Sequence, residues 1–296
     1  LTPFPFSGAF RRALLRALRR PVASLVRTAL LLTSCVLGTG SARADDHILA
    51  IGACPAWAGV PPAVCETAVT EVTAALSARY AVPDTQVHTL LNAQATVTGF
   101  RDFLHALPPF AADDRVFLYI VMHNGGGHQD RAASAKDDIL VFWSDTDPSV
   151  IEFAVAEGKW LRASDFGDEI GQLGMGTLVA FLEACQSGAL GLEILHETTP
   201  KTAHVTTIAS AQAGQYANLT LDYKQPLFSS LLVAALNGPK QQPLSDLLTT
   251  VSGQVTDTSG PICAAHKVKP SAPGGFTPDC RQTPVIRDPQ AVLSGL

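Results

Sequence analysis

Residues 115–122 read RVFLYIVM, and the chain continues His123-Asn124-Gly125-Gly126-Gly127. An unbroken run of β-branched, aromatic and other apolar residues, too short for a helix and closed by glycines, predicts a strand covered on both faces. Such strands belong to parallel sheets, whose helical crossovers lie over both faces. A second run of the same character, TLVAFLEA at 177–184, is apolar apart from Thr177 and Glu183 and ends in Cys185-Gln186-Ser187-Gly188.

The flanking sequence alternates in the way that reading requires. Upstream, 47–53 (HILAIGA) reads as a buried strand, 63–80 carries apolar residues at helical spacing, 87–91 is a short strand, and 96–107 is a helix opened by a Thr96 cap. Downstream, 139–143 starts a hairpin and 164–173 is a helix capped by Ser164. Residues 205–209 form a fifth strand, and 227–236 and 244–251 are helices. No period of 20 to 50 residues repeats, which excludes solenoids and propellers. The expected fold is α/β, a mostly parallel sheet flanked by helices on both faces in three αβα layers.

Composition narrows the function classes. The chain has 296 residues, 47% hydrophobic and 16% charged, too apolar for a disordered protein. Its first 44 residues hold seven arginines and no acid, so without them the net charge of -5 becomes -5 - 7 = -12. An acidic body without a Lys/Arg block argues against a partner that is nucleic acid. Residues 11–27 are basic, 28–38 largely apolar and uncharged, and Ala42-Arg43-Ala44 precedes Asp45 as a small-x-small cleavage pattern. Residues 1–44 therefore read as a secretory signal, with an apolar run well short of the roughly 20 residues that span a bilayer. Leu32-Thr33-Ser34-Cys35 resembles a bacterial lipoprotein box, so membrane attachment is expected only through a lipidated Cys35. The expected location is periplasmic or secreted. The remainder divides into a domain over 45–251 and a tail over 252–296, rich in Pro, Gly, Thr and Ser and expected to be irregular.

Six cysteines, at 35, 54, 65, 185, 263 and 280, become five when Cys35 leaves with the signal. An oxidising compartment pairs as many as geometry permits. The local pairings are Cys54 with Cys65 and Cys263 with Cys280, which leaves Cys185 as a free thiol. A purely structural envelope protein would instead have Cys185 disulfide-bonded.

In α/β folds sites lie at the carboxyl ends of strands. Two such ends carry His123 and Cys185, and adjacent parallel strands lie about 4.8 Å apart. An imidazole and a thiol in one crevice are a general base and a nucleophile. Side chains alternate along a strand, so Glu183 and Cys185 share a face, with Phe181 continuing it inward.

Glu183-Ala184-Cys185-Gln186-Ser187-Gly188 resembles the Glu-Ala-Cys-x-Ser-Gly nucleophile motif of legumain-type cysteine peptidases, in the wider caspase-like clan. His123, after its hydrophobic strand, matches the clan's His-then-Cys order. Thr206-Thr207-Ile208-Ala209-Ser210-Ala211 with Tyr216-Ala217 resembles the next strand and the loop lining the primary specificity pocket. The similarity runs from His47 to Asn237. It implies a caspase-like fold and an exported cysteine endopeptidase that forms a thioester acyl-enzyme, with Cys185 as nucleophile and His123 as general base and acid. The oxyanion hole would use the Cys185 N–H with Asn124 or Gly125, and Glu183, Ser210 and Gln215 would line the substrate pocket. Its partner is a peptide or protein substrate, with no cofactor and no metal. A transpeptidase using the same acyl-enzyme, or a catalytically impaired relative that binds envelope peptides, are the alternatives. The family's His-orienting asparagine is replaced here by the stretch Ala53-Cys54-Pro55. The pocket arginine and an aspartate near Pro226 are also missing, so the preference for cleaving after asparagine does not carry over.

Other polar residues read more simply. His128 is expected to be a solvated loop residue rather than a metal ligand, and Asp137, Asp138, Asp145 and Asp147 to form the polar rim of a hairpin. Asn218-Leu219-Thr220 is a glycosylation sequon.

Overall fold

The computed structural model describes residues 44–124, 138–145, 151–266 and 280–296, with the backbone alone for 151–153. Expectations placed on 1–43, including Cys35, and on Gly125, His128, Asp137 and Asp147 lie outside the described residues.

The strands are β1 (Asp46–Ala53), β2 (Val87–Leu91), β3 (Arg115–Asn124), β4 (Ile139–Val141), β5 (Leu161–Arg162), β6 (Thr177–Glu183), β7 (His204–Ala209) and β8 (Val285–Arg287). They form one mixed sheet in the order β2-β1-β3-β6-β7-β8, with β4 on the end of β3 and β5 on β4. The four central pairings are parallel, while β7/β8, β3/β4 and β4/β5 are antiparallel. The helices are α1 (Pro62–Tyr80), α2 (Val97–Ala106), α3 (Ile151–Ala156), α4 (Ala163–Gly171), α5 (Ser187–Thr198), α6 (Leu227–Leu236) and α7 (Leu244–His266).

The run RVFLYIVM supplies both cores because its side chains alternate. Phe117, Tyr119 and Val121 pack with apolar residues of α1, α6 and α7 on one face. Val116, Leu118, Ile120 and Met122 pack with those of α2, α4 and α5 on the other. The result is the expected three-layer αβα architecture. Each fully buried Leu, Ile or Phe contributes roughly 1.5–3 kcal/mol, so a strand buried on both sides anchors the fold.

Helix ends follow local chemistry in part. The Thr96 hydroxyl accepts the Gly99 N–H at 3.0 Å, so the expected cap on α2 is present. Ser164 does not cap α4: Arg162 holds that position, because Leu161 and Arg162 are still extended against β4 and the Ala163 N–H bonds the Asp138 carbonyl at 2.8 Å. The 139–143 segment does enter antiparallel pairing, with Val141 opposite His123.

The irregular tail expected from residue 252 is corrected. Helix α7 runs on to His266, with Pro261 inside it, and 285–287 adds β8 to the sheet. Composition misled because the Ser/Thr-rich stretch keeps helical apolar spacing. Leu244, Leu247, Leu248, Val251, Val255 and Ile262 are all buried in the face shared with α1 and α6. Its hydroxyls also turn back on their own helix, Thr249 to the Ser245 carbonyl at 2.9 Å and Thr256 to that of Ser252 at 2.9 Å. Cys54–Cys65 and Cys263–Cys280 are disulfides, with Cα atoms 5.9 and 5.7 Å apart.

Candidate active site

Strands β3 and β6 pair in parallel from Arg115 opposite Thr177 to Val121 opposite Glu183, a constant offset of 177 - 115 = 62. His123 lies two residues beyond Val121 near the end of β3, and Cys185 two residues beyond Glu183, in the turn that follows β6. Alternation along β3 puts His123 on the face that carries Val121, toward α1 and α6. His123 and Cys185 line one cleft of about 400 Å³ counted to its open mouth. Among the described residues Cys185 is the free cysteine, and it is half-buried.

Cys185 sits on a sharp strand-to-helix elbow between β6 and α5. Gln186 adopts the left-handed conformation, φ 57° and ψ 18°, a strained position for a residue with a side chain. The elbow is held from the neighbouring loop: the Gln186 N–H donates to the Gln215 carbonyl and the Gly188 N–H to the Ala211 carbonyl, both at 2.8 Å. Gly188 is required by close approach, since a Cβ there would stand 2.8 Å from the Ala213 nitrogen. With the Ser187 N–H on the Ala184 carbonyl, the Cys185 N–H is the elbow amide without a backbone carbonyl partner among the described residues. That is the amide expected to face an oxyanion.

Burial pushes the Cys185 thiol up, the negative charge of Glu183 adds to this, and the N–H groups of Ala217 and of Cys185 itself pull it back in part. Burial lowers the His123 imidazole below its ordinary value. Both therefore rest neutral near pH 7. The His123 Nε2 is buried without a hydrogen-bond partner among the described residues. Among the described residues no side chain hydrogen-bonds the His123 ring to orient it. Cys54, which follows β1 and lines the cleft, is tied to Cys65 instead.

Glu183 lies at the floor, 2% exposed. Its Oε2 accepts the Ser229 backbone N–H at 2.9 Å and the Ser229 hydroxyl at 2.7 Å. Ser229 is in the first turn of α6, so the carboxyl caps that helix. The Tyr119 hydroxyl stands 2.7 Å from the Ser229 Oγ and extends the network under the sheet. Burial raises the Glu183 carboxyl to about 7 against the lowering effect of Ser229 and Ser210.

The other expected site residues separate. Asn124 is buried, and its side-chain amide has no partner among the described residues, so it is at the strand end but turned inward. Ser210 is corrected from pocket wall to interior strut. It is fully buried, its N–H bonds the Leu182 carbonyl at 2.9 Å, and its hydroxyl lies 3.4 Å from both the Ala184 carbonyl and the Ser187 Oγ. Gln215 is likewise structural. Its Oε1 accepts the N–H groups of Gln212 and Thr283 at 3.2 and 2.8 Å, because the returning C-terminal segment packs on the loop. The sequon residue Asn218 is also buried. Its side-chain amide donates to the Cys280 carbonyl at 2.9 Å and its backbone N–H donates to the Gln282 Oε1 at 2.8 Å, so its amide is committed to the fold.

Sequence reasoning missed Val60, Val64, Leu219 and Pro226, which complete the cleft with Ala217. None of these types carries a chemical signal. Tyr119 did carry one, since a phenol inside an apolar strand requires a partner for its hydroxyl. Asp138 precedes β4 and Asp145 follows it, flanking the hairpin strand. Among the described residues one trio, Glu193, His196 and Glu197 of α5, brings potential metal-ligand atoms within 4.8 Å of one another, and none of the three lines the cleft.

Comparison with protein-family models and with curated proteins finds no match to this chain.

Proposed function

We propose that the chain is an exported cysteine endopeptidase that hydrolyses peptide bonds through a thioester on Cys185, with His123 as its proton carrier. The observation that carries this reading is that His123, near the end of β3, and the free Cys185, just after the adjacent strand β6, line one cleft. The motif resemblance to legumain-type peptidases points the same way. Export is supported by the signal-like residues 1–44 and by the two disulfides, which persist in oxidising compartments.

The chemistry follows from two neutral partners. The sulfur attacks the peptide carbonyl as its proton passes to the imidazole, and the oxyanion is met by the Cys185 N–H. The imidazolium then protonates the leaving amine, the C–N bond breaks, and a thioester remains. His123 next takes a proton from water, whose oxygen attacks the thioester. The carboxylic acid leaves and the proton returns to sulfur. No cofactor is needed to balance these steps.

A second reading, a peptide-binding relative without turnover, is favoured by one observation: the buried His123 Nε2 has no orienting partner among the described residues. Labelling with a peptide acyloxymethyl ketone separates the two. The peptidase is labelled at Cys185, and the label is lost in Cys185→Ala. A native protein that stays unlabelled, with peptide cleavage unchanged in Cys185→Ala, overturns the proposal. Added amine acceptors test transpeptidation, which gives an amide product from the same thioester.

A further inference from the structure

The cleft beside Cys185 has a chemical character that selects the substrate. Among the described residues its sides are the side chains of Val60, Val64, Val121, Ala217, Leu219 and Pro226, with Asn218 also in the wall but its amide donating to the Cys280 carbonyl. Among the described residues that line it, the one ionisable side chain besides His123 and Cys185 is Glu183, and that carboxyl is turned to the protein. Ser229 donates twice to one of its oxygens, and the Ser210 hydroxyl stands beside it. An incoming cation would have to compete with this network at a group that is 2% exposed. An incoming carboxylate would meet neither lysine nor arginine among the described residues of the lining. A side-chain amide would lose its water on apolar walls, and an unmatched buried polar group is costly.

Resting on the peptidase reading, we infer that the enzyme cleaves after a small or medium-sized apolar residue, whose side chain fills the cleft between Val60 and Leu219. The residue that donates the scissile carbonyl to Cys185 must place its side chain in the space adjoining the sulfur, and this is the space that the sulfur and the imidazole share. Val60 and Leu219 are half-buried and stand on opposite chain segments, before α1 and before α6. They are the specificity-determining pair.

The test is a set of peptides identical except at the residue before the scissile bond, carrying Ala, Val, Leu, Asn, Asp, Lys or Arg, cleaved by the exported protein. The expected result is kcat/KM on the order of 100-fold higher for the best of Ala, Val and Leu than for any charged residue or Asn. Val60→Asp and Leu219→Asp should each move the preference toward Lys and Arg by at least about 10-fold, as one new carboxylate on the wall supplies a partner for a cation. Cleavage by the native protein after Lys or Arg would mean that Glu183 does reach the substrate. Cleavage after Asn or Asp would mean that the lining is not the selecting surface. Either outcome overturns the apolar preference and leaves the peptidase reading standing, as does an absence of cleavage while the acyloxymethyl ketone still labels Cys185. No cleavage and no label defeats both.

Discussion

Ser229 gives both its backbone N–H and its hydroxyl to the same oxygen of Glu183, at 2.9 and 2.7 Å, and so ties the floor of the cleft to the first turn of α6. This buried carboxyl is raised from 4.5 to about 7 by its burial. The folded state therefore holds a proton that the unfolded chain has released between those values, and stability from this group declines as pH rises from about 4.5 through 7. Glu183→Gln should remove that decline. Urea midpoints at pH 5 and pH 8 should converge in the variant relative to the native protein, and an unchanged difference would contradict the assignment.

Ser229→Ala removes the hydroxyl shared by Glu183 and Tyr119. It leaves two buried polar groups short of a partner, and each such loss costs about 1–3 kcal/mol. Denaturant unfolding should show a destabilisation of at least about 2 kcal/mol, larger than that of Thr256→Ala on the exposed side of α7.

On the proposed peptidase reading, the pH response of His123 and Cys185 is set by burial. The imidazole is lowered, so the acid limb of kcat/KM should fall below the ordinary histidine value of about 6.5. His123→Ala should lower kcat/KM by about 10²–10⁴ and remove that limb. The thiol is raised, so alkylation of Cys185 by iodoacetamide should be slow near neutrality and accelerate only above the ordinary cysteine range. A thiol already fully reactive at pH 6 would show instead that sulfur and ring form an ion pair at rest.

Gly188→Ala places a Cβ 2.8 Å from the Ala213 nitrogen and 3.0 Å from the Ala211 oxygen, both of them backbone atoms. The elbow must shift, at a cost of roughly 1–3 kcal/mol. Thermal unfolding should detect the loss, and acyloxymethyl ketone labelling of Cys185 should slow in the protein that remains folded.

The Cys263–Cys280 bridge reaches the cleft through its neighbours. The Cys280 carbonyl accepts from Asn218, and Gln282 binds both Asn218 and Ser210. Replacing both cysteines by serine should cost about 3 kcal/mol of stability. It should also raise KM more than it lowers kcat, because Asn218 is part of the cleft wall while His123 is on β3 and Cys185 in the turn after β6.

Much of this molecule is written locally. The runs RVFLYIVM and TLVAFLEA specify buried strands because their composition and length suit nothing else. The alternation with helical segments specifies a parallel sheet between helix layers, and cysteine spacing isolates Cys185. Local pattern puts Phe181 and Glu183 on one face, since the two-residue period of a strand is a property of the chain itself, whereas Cys185 reaches the same cleft from the turn after β6. What required the tertiary structure is everything that depends on which distant segment arrives. The pairing of β3 with β6, which brings His123 and Cys185 to one cleft, joins segments 62 residues apart. The continuation of α7 past residue 251 comes from the face it covers, and the burial of Ser210 and Gln215 comes from the segment at 282–283 closing over their loop. The capture of Glu183 by Ser229 joins residues 46 positions apart. A polar side chain in a sequence is equally a ligand for a substrate or for its own fold, and the packing of remote backbone against it decides between the two.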